Sequence, residues 1–205
     1  MIDPTDSHVV LARLGEQRVT AIALAVGQTR EDLALYRKTL PQFVSRHSQR
    51  GLLNWIHDQL FANIKDQFDA DPSVAISQTE PTDEIMIDNT LRIRFKKHDA
   101  QDMVSNYPTA AWRAWSRQDL IPAFSEIRLI AGFRWDAAAR EMRTPVISAR
   151  DGEKNVLWAA ELHRIEATTP IYVPSPVLQP EAPALPVFEI ADIENNGDHS
   201  DEQSR

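Results

Sequence analysis

Cysteine is absent from all 205 residues. That excludes a disulfide framework, a thiol nucleophile and any thiolate metal site, and it is compatible with a reducing compartment. No stretch approaches the ~20 apolar residues that a membrane span needs. The first residues, Met1-Ile2-Asp3-Pro4-Thr5-Asp6, are acidic and lack the apolar segment of a signal peptide. A soluble cytoplasmic protein is therefore expected. Also missing are a Gly-rich phosphate loop, a nucleophile elbow and an H-E-x-x-H helix, so NTPase, α/β-hydrolase and zincin chemistry find no support. The residues establish no reaction, and neither a metal nor a cofactor is expected.

Basic charge is scarce at the C-terminal end. From residue 166 onward there are eight acids and one base, a net of −7 out of the formal −8, which leaves about −1 for the rest. The acidity belongs to the tail. The near-neutral body can then carry local basic rows that no general negative field masks.

What is present centres on Leu91-Arg92-Ile93-Arg94-Phe95-Lys96-Lys97-His98. Leu91, Ile93 and Phe95 alternate with Arg92, Arg94 and Lys96, and a strand sends successive side chains to opposite faces, so one face is apolar and the other a cationic row. At about 3.3 Å per residue the cations stand roughly 7 Å apart, a spacing suited to successive anionic groups. Arg92, Arg94 and Lys96, with Lys97 beside them, are thus the candidate anion- or partner-binding residues. The competing reading is a half-buried antiparallel strand whose cations pair with carboxylates on a neighbour, such as Glu84.

Ahead of this strand the periodicity is helical. Residues 5 to 27 read as a helix capped by Asp6 or Ser7, weakened by Gly15 and stopped at Gly27. Thr29 and Asp32 have the spacing of a capping box that opens a second helix through Leu33, Tyr36 and Leu40, and Pro41 breaks or restarts it. From residue 51 to 68, Leu52, Ile56, Leu60, Ile64 and Phe68 recur every four positions, joined by Leu53 and Phe61: a strong amphipathic helix capped by Ser48 and ended by Asp71-Pro72. His57 falls on the flank of its apolar stripe and Asp58 on the polar side. The pair supplies the candidate catalytic residues. Neighbours in a helix do not face one another, however, and no second histidine stands at zinc-site spacing, so a structural histidine is the simpler reading.

After Pro72 the period changes to two. Val74 and Ile76, Ile85 and Ile87, then Leu91 to Phe95 mark three strands, with Asp88-Asn89 as the tight turn between the last two. Thr109 caps a short helix from Ala110 to about Gln118 whose Trp112 and Trp115 share one face, expected to pack on the sheet. Residues 126 to 135 form another alternating strand with Arg128 and Arg134 on its polar face. Val146 and Ile147 lie in the next strand, and Asp151-Gly152 is read as a hairpin turn into Val156, Trp158, Ala160 and Leu162. The whole predicts an α+β fold: N-terminal helices over 1–50, and a body over 51–165 carrying a mostly antiparallel five- or six-stranded sheet. The one passage long enough for a crossover spans 98 to 125. Over 166–205 six prolines and many acids predict a disordered tail, although Val187, Phe188, Ile190 and Ile193 form a small apolar cluster that can dock on a partner or on the body.

Ile56-His57-Asp58, Arg94-Phe95-Lys96-Lys97, Asn106-Tyr107-Pro108-Thr109, Ala131-Gly132-Phe133 and Trp158 through Leu162 occur in this order over roughly residues 48 to 163. Together they resemble an uncharacterised bacterial family encoded beside helix-turn-helix proteins with a zincin-like (ImmA/IrrE-type) domain, an arrangement similar to toxin–antitoxin and phage-defence pairs. The resemblance implies a protein partner and the role of effector, or toxin. It assigns no catalytic residue. The alternative from the residues themselves is a nucleic-acid binding protein or nuclease using the basic strand, although that strand has no acid where a metal-dependent nuclease needs converging carboxylates.

Overall fold

The computed structural model describes residues 3–79, 82–104, 109–118 and 126–163. The tail expected over 166–205, and Asn106, Tyr107 and Pro108 of the third motif, lie outside the described residues.

Asp6 accepts hydrogen bonds from the amides of His8 and Val9 and so starts α1 (Ser7–Leu14). Gly15, at φ +86°, then turns the chain into α2 (Glu16–Thr39). The expected helix over 5–27 is therefore two helices, broken at Gly15 in a conformation that glycine tolerates. Gly27 is not a stop and Thr29 not a cap: both lie inside α2, where Thr29 is buried and its hydroxyl donates to the Ala25 carbonyl at 2.7 Å. Pro41 restarts the chain as α3 (Pro41–Val44), as its missing amide allows at a first helical position. The amphipathic helix is α4 (Gln49–Phe68), with the Ser48 hydroxyl accepting from the Gly51 amide; it ends at Phe68, three residues before Asp71.

The sheet comes next: β1 (Val74–Thr79), β2 (Thr82–Ile87) and β3 (Leu91–His98), then α5 (Ala110–Ser116), then β4 (Ile127–Asp136), β5 (Glu141–Arg150) and β6 (Val156–Glu161). The six strands stand side by side in chain order. All neighbours are antiparallel except β3 and β4, which run parallel because the connection through α5 is a crossover. Asp88 and Asn89 both have positive φ, and the Thr90 amide closes their turn on the Ile87 carbonyl at 3.0 Å. The β5–β6 connection differs from the expected two-residue turn. It spans residues 151–155, closed by the Asp151 amide on the Asn155 carbonyl, while the Gly152 amide reaches the end of α5 at Ser116.

One face of the sheet is apolar. Ile85, Ile87, Leu91, Ile93, Phe95, Leu129, Ala131, Ile147 and Ala160 are fully buried against α1, α2 and α4, and a single core runs from Val10 to Leu162. The helical region 1–50 and the body 51–165 thus share one core. At the α2–α4 contact, the Asn63 amide donates to the Thr29 hydroxyl and to Asp32, both at 3.0 Å. The opposite face carries the even-numbered residues of β3, with Trp112 and Trp115 of α5 stacked on each other, ring centroids 5.6 Å apart, and packed with Ile130.

Candidate functional site

The cationic row stands on that second face, and carboxylates meet most of it. Glu84 of β2 lies opposite Arg94 in the ladder and accepts from both Arg92 and Arg94, the latter at 2.9 Å. Arg92 also forks onto Glu126, at 2.8 Å from both Nε and Nη2, and Glu126 accepts from Arg128 at 3.0 Å as well. Arg128 further donates from one nitrogen to the carbonyls of Ala114, Trp115 and Arg117, satisfying the end of α5. Arg94 lies over the Trp115 indole, 4.2 Å from the ring centroid, a cation–π contact that holds α5 on the row. Ion pairs with Glu126 and Glu84 raise the Arg92 pKa, whereas burial lowers that of Arg94.

Lys96 is different. Among the described residues it has no carboxylate within 4.0 Å of its ammonium. Burial and the neighbouring Arg94 lower its pKa, against the pull of Asp83. The β2–β3 ladder ends at Glu84 and Arg94; beyond it β3 pairs with β4 and, at His98, with Val104, and His57 of α4 lies beside Asp83, Lys96 and the Phe95 backbone. His57 Nδ1 is 3.8 Å from Asp83, too far for a hydrogen bond. Burial and Lys96 hold its imidazole below the usual pKa. Asp58 is exposed on the outer side of α4. The two candidate catalytic residues therefore diverge, and the residues brought together are His57, Asp83 and Lys96. The neutral His57 ring is turned to the Phe95 backbone, so the Lys96 ammonium is the group in this cluster that can receive an anionic oxygen. Lys97, by the alternation of β3, leaves on the helix-covered face, away from the row.

Sequence reasoning missed the cluster beyond Lys96 on the same face. His98 is fully buried, with Nε2 3.1 Å from the Ser148 hydroxyl, and burial together with Arg150 pushes its pKa down to about 3. Arg134 forks onto Asp102 at 2.7 and 2.9 Å and also pairs with Glu161. Arg150, 2% exposed, donates to the Asp102 carbonyl and, at 3.4 Å, to that of Glu153, and burial lowers its pKa to about 10. Two arginines thus clasp Asp102, which sits at φ +57°. The continuing alternation from Lys96 to His98 is the signal that would have included His98. Among the described residues no group of three or more acids and histidines is placed to hold a metal ion.

Away from the sheet, exposed large apolar side chains concentrate where α2 meets α3. Leu35 (63%), Leu40 (38%) and Phe43 (52%) lie within nine residues of each other, and Tyr36 beside them stacks on Trp55 of α4 at 4.7 Å. No carboxylate occurs between Asp32 and Asp58, while Arg37, Lys38, Arg46 and Arg50 do. This corner brings exposed apolar side chains and bases together within one stretch of the chain.

Compared with protein-family models, curated proteins and solved structures, the chain matches none. No helix among the described residues is long and apolar enough to cross a membrane.

Proposed function

We propose that this chain is the effector, the toxin half, of a two-protein bacterial toxin–antitoxin or phage-defence module, acting in the cytoplasm through a helix-turn-helix/zincin-like protein partner. The ordered motifs support the module. The observation that carries the reading of a protein partner is the corner at Leu35, Leu40 and Phe43: exposed apolar side chains this close in the chain, interspersed with bases, suit a protein surface. Arg92 and Arg94, by contrast, are already spent on Glu84 and Glu126 inside the fold. The test is expression in a bacterial host, alone and together with the helix-turn-helix/zincin-like protein. Growth arrest by the chain alone, relieved by the partner, is expected. A chain that is harmless alone counts against the effector role.

A second reading, nucleic-acid binding through the basic strand 92–97, is favoured by one observation, the Lys96 ammonium beside His57, which meets no carboxylate within 4.0 Å among the described residues. It requires salt-dependent binding of mixed DNA or RNA that weakens on Lys96→Gln, with each lost phosphate contact lowering the log–log salt slope by about one. No binding at low salt removes it.

A further inference from the structure

We propose that residues 187–194 dock on the α2–α3 corner, so that the C-terminal segment covers the surface a partner would use. This rests on the reading of that corner as an interaction surface and adds its regulation.

Three observations carry it. The first is chemical complementarity. Val187, Phe188, Ile190 and Ile193 alternate with Glu189, Asp192 and Glu194 in a chain end of net −7, whereas the corner joins Leu35, Leu40 and Phe43 to four bases in a stretch without a carboxylate. Apolar anchors supply contact area and the opposed charges set orientation and attraction. The second is position. The chain leaves β6 with the Leu162 amide bonded to the Pro145 carbonyl at 2.9 Å, midway along β5, and antiparallel to β5 it heads toward the Glu141 end. Just before Glu141, the carbonyl of Arg140 accepts from Arg37 of α2, so the exit and the corner share one end of the sheet. The third is reach. The 24 residues from 163 to 187 span up to roughly 80 Å when extended, well beyond the ~15 Å radius of gyration of a domain of this size.

Because the chain has no cysteine, Asn195→Cys gives one unique attachment point for a nitroxide on the full-length protein. Amide NMR signals of residues 35–46 are expected to lose most of their intensity, and those of β1 to keep it. The loss should shrink at high salt, which screens the opposed charges, and disappear when Phe188→Ser and Ile190→Ser are added. No selective loss, or a loss spread over the whole surface, overturns the inference. So does a loss seen only when labelled chains are mixed with separate isotope-labelled ones, since that is contact between copies. Partner affinity of the Phe43→Ser chain is measured separately. If partner binding depends on Phe43 while the nitroxide finds no contact, the corner reading stands and the tail inference falls. If Phe43→Ser alters neither, both fall.

Discussion

Glu84 accepts a hydrogen bond from Arg94 at 2.9 Å, with the carboxylate side chain 12% exposed and the guanidinium 17%. The same carboxylate holds Arg92 through its other oxygen, so its removal leaves two cations close together on a covered sheet face. Glu84→Gln is expected to destabilise by about 1–3 kcal/mol, a figure below that of a fully buried pair because both arginines keep some contact with water. Urea unfolding decides it. No change in midpoint would mean that Arg92 and Arg94 find anionic partners elsewhere.

Leu60→Ala and Ile64→Ala each remove a side chain buried in α4 and should cost about 2–5 kcal/mol. Asp58→Asn, on the exposed side, should stay within about 0.5 kcal/mol. Equal losses at all three positions would contradict the orientation of the helix.

Gly132→Ala tests the parallel pairing of β3 and β4. A Cβ on Gly132 would collide with the Lys96 backbone carbonyl, which cannot move without breaking the ladder. A loss of about 3 kcal/mol or more is expected, and a neutral result in denaturant melts would contradict the close approach. The glycine of the Ala131-Gly132-Phe133 motif thereby acquires a physical reason.

Strands and α4 were legible because their side chains repeat with one period over many residues and nothing contradicts it. The pairing of Glu84 with Arg92 and Arg94 was legible too, since the two strands are joined by a short turn. Glu126 was not, being 34 residues from Arg92 and brought to it only by the crossover. In α2 local punctuation misled: Gly27 has open space around it, and Thr29, with the spacing of a cap, spends its hydroxyl on the Ala25 carbonyl one turn back and on Asn63, a partner that exists only in the folded α2–α4 pair. The clasp of Arg134 and Arg150 on Asp102 depends likewise on a left-handed backbone that no pattern announces.

His98 gives stability a pH dependence of known sign. Its imidazole is neutral in the fold down to about pH 3 and takes up a proton near pH 6.5 when unfolded. The unfolded chain therefore binds more protons in this window. Stability is full above pH 6.5 and falls on acidification, by up to about 1.4 kcal/mol per unit. Asp71, held down to about 2 chiefly by Arg18, adds a loss only below the carboxylate range near pH 4. His98→Gln should be less stable at pH 7 but show a flatter profile between pH 6.5 and 4.5. An unchanged slope would mean that other groups carry the acid sensitivity.

The most direct test of the partner reading is calorimetric titration of the full-length chain with the purified helix-turn-helix/zincin-like protein, repeated for Phe43→Ser and for Lys96→Gln. Binding by the wild type is expected, weakened about tenfold or more by Phe43→Ser, the loss typical of an interface anchor, and unchanged by Lys96→Gln. No binding by the wild type, or a loss confined to Lys96→Gln, would contradict the account and move function to the cationic strand.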